Sequence, residues 1–248
     1  MEIKYPSDTQ IKSAVAGICE KSIKKPETFF GFLKNMTSVL GIKNIFCGVY
    51  DAILISFVLF IGLLIMLVSQ LKYIDLSYDN IYMIVFALTP VFFIILYLLT
   101  HIKEHTDGAY KLKMTCKYTV NHLLAYRMFV FSILSVLFNT IYIFTLSIKT
   151  DINFFAMICI SMSALFIFST VLISVILRFN SILSPIMLSL LWIVMNLLTF
   201  FTNGSFYGKL IKNTPIYVWI IICIICIAIY LKKLSILSGK RRINYANS

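Results

Sequence analysis

Long apolar stretches alternate with short polar segments along this chain. Six of these stretches contain no Asp, Glu, Lys or Arg in their interiors. A helix needs about 20 apolar residues to cross a hydrocarbon core roughly 30 Å thick. The pattern therefore predicts an all-α, polytopic membrane protein with six transmembrane helices, at Ala52–Ser69, Ile81–Leu99, Met128–Ile148, Ile152–Leu177, Ile182–Phe201 and Ile216–Leu231.

The residues before the first predicted span also show helical periodicity. Phe29, Phe32, Leu33 and Met36 recur on one side, and Lys34 lies away from that side. This spacing predicts an amphipathic connecting helix in the cytoplasmic interface that leads into the first span. A simple membrane anchor without a mechanical role fits the same periodicity. The predicted domains are a cytoplasmic N-terminal region, a six-span domain and a basic cytoplasmic tail, at residues 1–44, 45–231 and 232–248.

Charge is distributed unevenly between the segments that connect the predicted spans. Of the 22 Lys and Arg residues, 18 fall before span one, between spans two and three, between spans four and five, or after span six. Cationic loops remain cytoplasmic, so both termini are predicted to lie in the cytoplasm. The net charge of +12 then favours anionic lipid headgroups over nucleic acid, because the cations adjoin the spans.

The longest charged internal loop, residues 101–127, joins the second and third spans. Its second half has the pattern of a helix that Thr119 can cap, with an apolar side formed by Tyr118, Leu123, Leu124 and Met128. Arg127 is expected to face water or a partner. Such a helix, joined directly to a span, can transmit a push into the membrane. A solvated connector with interfacial leucines is the alternative interpretation.

The same loop begins with the string His101-Ile102-Lys103-Glu104-His105, which matches the H-x-x-E-H pattern of inverted zinc proteases. A zinc site of that class needs a third protein ligand. The acids that follow are Asp107 and Asp151, and Asp151 is predicted on the opposite side of the membrane. The string is therefore interpreted as a charged helix end next to the membrane, with no metal site, and a metalloprotease is the alternative.

The polar residues inside or between the predicted spans are expected to have structural roles in helix packing, in preference to roles in substrate binding or ion transport. Pro90 is expected to kink the second span, and Asn139 and Asn196, together with the serines and threonines, are expected to form hydrogen bonds between helices. The segment Thr202–Pro215 is predicted to be an outer loop, either re-entrant or on the surface. The spans contain no ionisable residue of the kind that ion-coupled transporters use as a relay. Uphill transport would therefore need energy from another polypeptide.

The loop between spans two and three supplies a resemblance to a known family. Tyr118-Thr119, Leu123-Leu124 and Arg127-Met128, with Glu104 upstream, resemble a motif in small permease subunits of bacterial ABC-2-type exporters. The general layout is also similar from Pro26 to Leu231, with an amphipathic connecting helix, six spans and an intracellular coupling helix between spans two and three.

The resemblance implies a bacterial plasma-membrane half-transporter that pairs with a second permease and with cytoplasmic ABC ATPase subunits. ATP and magnesium would bind to the ATPase, so this chain itself would not be an enzyme and would bind no cofactor. The family pattern implies that Tyr118, Thr119, Leu123 and Leu124 meet the ATPase, with Arg127 and Glu104 as polar supports. The expected cargo is amphipathic or lipid-like, including peptides. A non-transporting protein, such as an immunity or sensory-anchor protein, is the alternative.

Overall fold

The computed structural model describes residues 31, 33–38, 50, 53–59, 61–62, 78–106, 120–149, 153–179 and 183–239. Every regular element in this part of the chain is helical. Five long helices account for most of it: α1 Tyr78–Thr106, α2 Val120–Lys149, α3 Phe154–Arg178, α4 Leu183–Asn213 and α5 Ile216–Gly239. The all-α fold class is confirmed for the described residues.

The ends of α3 and the junction between α4 and α5 have clear local causes. Asn153 caps α3, because its side-chain oxygen accepts a hydrogen bond from the backbone N–H of Ala156 at 3.3 Å. At the other end of α3, the Phe179 N–H donates to the Val175 carbonyl at 2.8 Å. Pro215 then separates α4 from α5, since a proline without an N–H cannot continue the preceding helix.

Pairs of contacts show that α1, α3 and α5 run parallel to one another. Thr89 of α1 is hydrogen-bonded to Ser161 of α3, and Phe93 of α1 packs edge-on against Phe168 of α3 at a centroid distance of 6.4 Å. In the same way, the Thr170 hydroxyl of α3 donates to the Cys226 carbonyl of α5 at 3.1 Å, and Lys233 of α5 donates to the Ser174 hydroxyl of α3. α3 packs most extensively on α5, and α1 packs on α4, α3 and α2.

One cluster of the hydrophobic core lies in the half of the bundle where α3 and α5 begin, and buried apolar residues such as Leu96 and Leu172 continue into the other half. The cluster includes buried residues of α1, α2, α3 and α4, among them Met83, Ile143, Met157 and Ile211. Large apolar residues cover the outside of α2, α4 and α5 instead, including Leu137, Leu191 and Ile224. An apolar exterior around a packed interior is what a hydrocarbon solvent requires.

In the described part of the chain, four helices are long and apolar enough to cross a membrane: Ile81–Ile102, His122–Ile148, Phe154–Arg178 and Ile216–Ser238. They correspond to the second, third, fourth and sixth predicted spans. The fifth predicted span lies in α4, whose described apolar stretch, Leu183–Thr199, is shorter. Of the first predicted span, residues 53–59 and 61–62 are helical, and the remainder lies outside the described residues.

The prediction of a loop at Thr202–Pro215 is wrong for most of that segment, because α4 continues as a helix to Asn213. Gly204 and Gly208 suggested a loop, since glycine costs about 1 kcal/mol relative to alanine inside a helix. Packing outweighs that cost: Ile211, in the last turns of α4, is buried in the hydrophobic core.

The N-terminal residues up to Gly41 form a compact unit of their own. Residues 33–38 are helical, with Leu33 and Met36 buried and Lys34 and Asn35 exposed. This distribution is that of an amphipathic helix. The predicted interfacial residues Phe29 and Phe32 lie outside the described residues, and the location of this helix at a membrane interface stays a prediction.

Candidate functional site

The residues assigned to ATPase coupling lie near the start of α2 and the end of α1. Leu123 and Leu124 occupy the first turns of α2 and are half-buried. Glu104 lies in the last turn of α1, with its side chain outside the described part of the chain, and Tyr118 and Thr119 also lie outside the described residues. The predicted coupling residues that are described, Leu123, Leu124 and Arg127, belong to α2 itself, so they lie in the same continuous helix as the predicted third span.

The prediction that Arg127 faces water or a partner is wrong. Its side chain is 1% exposed and is among the largest fully buried side chains of the described chain. The cause is the packing of α2 at this level, where Ala125, Tyr126 and Met128 are buried as well. The carbonyl of Met128 accepts a hydrogen bond from the Tyr230 hydroxyl of α5 at 3.0 Å, which fixes α5 against this turn.

The H-x-x-E-H string lies in the last turns of α1. His101 stacks on Tyr97, one turn earlier in the same helix, with ring centroids 5.5 Å apart and planes 15° apart. Among the described side chains, no three His, Cys, Asp or Glu residues come together as a possible metal site. Glu104 and His105 have side chains outside that part of the chain, so the absence of a metal site stays a prediction.

A polar junction surrounds Pro90, which lies near the middle of the candidate span in α1. Pro90 has no N–H for the helix hydrogen-bond ladder, and its ring disturbs the preceding turn. Neighbouring helices donate to the carbonyls beside it. Asn139 Nδ2 of α2 donates to the Thr89 carbonyl at 3.2 Å, and Trp192 Nε1 of α4 donates to the Ala87 carbonyl at 3.3 Å.

The side chain of Thr89 connects the same junction to α3. Its hydroxyl donates to the Val85 carbonyl of its own helix at 2.6 Å, and it is hydrogen-bonded to the Ser161 hydroxyl at 3.1 Å. Thr89, Ser161 and Asn139 are all at least 97% buried. Helices α2, α3 and α4 therefore meet α1 through hydrogen bonds at one turn, beside the position where Pro90 cannot donate to the carbonyl four residues earlier.

Aromatic rings enclose this junction, which we call the Pro90 junction: Ala87, Thr89, Pro90, Asn139, Ser161 and Trp192. Phe86 packs against Trp192 of α4 and Trp219 of α5, with ring centroids 5.8 Å and 6.0 Å away. Trp192 also meets Phe168 of α3 edge-on at 5.5 Å. Such ring pairs have preferred geometries, so a shift of α1 at Phe86 has to be accommodated by α4 and α5.

The sequence identified only part of this junction. The interhelical role of Asn139 is confirmed, but the same prediction for Asn196 is wrong, because its amide donates to the Trp192 carbonyl of its own helix at 2.8 Å. Thr89 and Ser161 confirm the expectation for threonines and serines but were not singled out, and Trp192 was missed. Their partners lie far away in sequence, and the one available signal was the Thr-Pro pair in the middle of an apolar stretch.

No family model matches the chain, and neither a curated protein nor a solved structure is significantly similar to it. The arrangement of its own residues is therefore the basis for the functional argument. Two parts of that arrangement matter: the start of α2, where the predicted coupling residues Leu123 and Leu124 lie, and the Pro90 junction, which α2 contacts deeper in the bundle.

Proposed function

We propose that this chain is the transmembrane permease subunit of an ATP-driven, ABC-2-type exporter in a bacterial plasma membrane. In this proposal it has six spans, both termini are cytoplasmic, and it pairs with a second permease. The observation that carries the proposal is the continuity of α2, which runs unbroken from Leu123 and Leu124 to Asn139 at the Pro90 junction. These positions are about 22 Å apart along the helix axis.

A continuous helix can act as a lever between the two positions. A cytoplasmic ATPase that closes on ATP would push the first turns of α2, and Asn139 would carry the displacement to α1. Phe138 follows the same path, since its ring packs edge-on against Phe92 of α1 at 4.9 Å. The Pro90 turn is the place where α1 can bend in response, because its backbone ladder is already interrupted.

The carboxylate content of the spans supports an external energy source, whereas the candidate span in α2 does contain one buried cation, Arg127. The sequence has no Asp or Glu from residue 152 to residue 248, and none in the candidate spans of α1 and α2. Proton and sodium relays inside membranes commonly use such carboxylates. ATP and magnesium would therefore bind to the partner ATPase, and an apolar path would suit an amphipathic or lipid-like cargo, including peptides.

Co-purification tests this proposal directly. We expect the tagged wild-type chain, extracted from its native membrane, to bring down an ATPase that contains nucleotide-binding motifs. Leu123→Asp combined with Leu124→Asp should abolish that association, because two carboxylates would enter an apolar contact. The matched control is Lys232→Asp, which changes the net charge by the same two units at an exposed position of α5.

The control variant should retain the ATPase, and both variants should elute as the wild-type chain does and keep its helical circular-dichroism signal. Absence of any nucleotide-binding protein from the wild-type preparation would contradict the proposal. Retention of the ATPase by the double variant would remove Leu123 and Leu124 from the contact and with them the proposed lever.

A further inference from the structure

Three buried polar side chains on the inner face of α2 each have an atom without a hydrogen-bond partner among the residues that the structure describes. These atoms are Ser135 Oγ, Asn139 Oδ1 and Tyr142 Oη. The three residues are 0%, 3% and 2% exposed. Positions separated by four and then three residues lie on one side of a helix, so the three groups form a single row.

The opposite side of α2 is apolar and is exposed on the surface of the bundle. Ile133, Leu137 and Ile141 are 45%, 55% and 59% exposed there. The polar row therefore faces the interior of the bundle, away from the surface that lipid would cover. A buried polar atom left without a partner costs about 1–3 kcal/mol, and native proteins rarely accept several such costs along one helix face.

The chemistry of the row selects a small neutral ligand. Asn139 Oδ1 can only accept hydrogen bonds, whereas the hydroxyls of Ser135 and Tyr142 can both donate and accept. None of the three groups carries a charge that would favour an ion. Water fits this requirement, because one molecule can donate two hydrogen bonds and accept two more.

We infer that ordered water molecules occupy the inner face of α2, bridging Ser135, Asn139 and Tyr142 into a hydrated track. The amide of Asn139 anchors this track at the Pro90 junction, because its Nδ2 is already bonded to the Thr89 carbonyl. Buried water that satisfies otherwise unpaired polar groups is a regular structural component of proteins. The inference does not depend on the exporter proposal, since it concerns only the polar atoms of α2.

Cysteine labelling tests the hydrated track with a control on the same helix. The six native cysteines are first replaced by serine. Single cysteines are then placed on the track as S135C, N139C and Y142C, and on the opposite side as I133C, L137C and I141C. Each purified variant is treated in detergent micelles with a negatively charged methanethiosulfonate reagent, and the modification rate is measured by mass spectrometry.

We expect the track cysteines to react at least about tenfold faster than the three controls, because the reactive thiolate forms in water and not in hydrocarbon. Equal or slower reaction on the track would overturn the inference. S135C exchanges one oxygen for sulfur, so its fold is the least perturbed of the set.

If the cysteine variants do not fold, the melting temperature of the Tyr142→Phe variant tests the hydrated track instead. Removal of a hydroxyl that has no partner at all would raise the melting temperature, because an unmet desolvation cost disappears. Removal of a hydroxyl bonded to water should leave the melting temperature unchanged or lower it. A rise would therefore contradict the hydrated track, and no rise would support it.

Discussion

The side-chain amide of Asn139 in α2 donates to the carbonyl oxygen of Thr89 in α1 across 3.2 Å, one residue before Pro90. This bond joins the helix that begins at Leu123 and Leu124 to the interrupted turn of its neighbour. Two further helices donate to or bond with the same region, through Trp192 and Ser161. The Pro90 junction is thus both a packing contact and the point where four helices can influence one another.

The first prediction concerns the strength of this bond. Asn139→Leu keeps similar volume but leaves the Thr89 carbonyl without its interhelical donor. We expect a loss of about 1 kcal/mol in the free energy of unfolding, since interhelical hydrogen bonds in membranes contribute between about 0.6 and 1.7 kcal/mol. Equilibrium unfolding in mixed micelles, followed by circular dichroism, measures the change.

Asn196→Leu is the control for this substitution. It removes the same amide from α4, where the bond of Asn196 within the described residues goes to the Trp192 carbonyl of its own helix. We expect a smaller change than for Asn139→Leu. If both variants lose the same stability, the contribution of Asn139 does not come from its contact with α1.

The sequence predicted the helices better than it predicted their contacts. Apolar runs bounded by charges located α1, α2, α3 and α5, because a stretch of about 20 apolar residues is a local signal. The continuation of α4 through Gly208 to Asn213 was not predictable in this way, since it depends on the burial of Ile211 among residues of three other helices.

The position of Arg127 illustrates the same limit at the level of one residue. A basic residue next to an apolar run is normally placed in water, yet here consecutive residues of α2 are buried on all sides. Charge and periodicity describe one helix at a time. Burial depends on which neighbours surround that helix, as Tyr230 of α5 does beside Met128.

A second prediction tests the contact between α5 and the first turns of α2. The Tyr230 hydroxyl donates to the Met128 carbonyl at 3.0 Å and is buried. Tyr230→Phe should reduce the free energy of unfolding by about 1 kcal/mol, because it leaves a buried carbonyl with one bond fewer. Tyr217→Phe on the same helix, at a side chain that is 65% exposed, should change it little.

Thermal unfolding of the two tyrosine variants in the same detergent measures both effects. A larger loss for Tyr217→Phe than for Tyr230→Phe would show that the hydroxyl of Tyr230 does not hold α5 against α2. Equal losses would have the same meaning, because the exposed hydroxyl has no contact of this kind with α2.

A third prediction concerns the tight packing between α3 and its neighbours. Ala164 is fully buried within the hydrophobic core, where an added side chain has no room. Ala164→Leu should cost about 1–3 kcal/mol through overpacking. Ala228→Leu makes the same change at an exposed position of α5 and should be nearly neutral. The melting temperatures of the two purified variants measure these effects. An Ala164→Leu variant with the melting temperature of the wild type would contradict the prediction, because it would show that the core around Ala164 has room for the larger side chain.

The fourth prediction follows a displacement from α2 to the Pro90 junction. The chain has two tryptophans, and both Trp192 and Trp219 pack against Phe86, so intrinsic fluorescence reports on the turn of α1 before Pro90. Once the permease is reconstituted with its ATPase, ATP should change the emission spectrum. That change depends on the exporter proposal, because it requires a push on the first turns of α2.

Pro90→Ala should largely abolish this fluorescence change while the ATPase remains bound. Alanine restores the missing N–H and removes the ring clash, so the turn becomes an ordinary, stiffer part of α1. Val91→Ala is the control, since it truncates the next side chain and keeps the proline. If Pro90→Ala responds to ATP as the wild type does, the bend lies elsewhere in the bundle. If Val91→Ala loses the response as well, the effect reflects lost packing in α1 and not the proline itself.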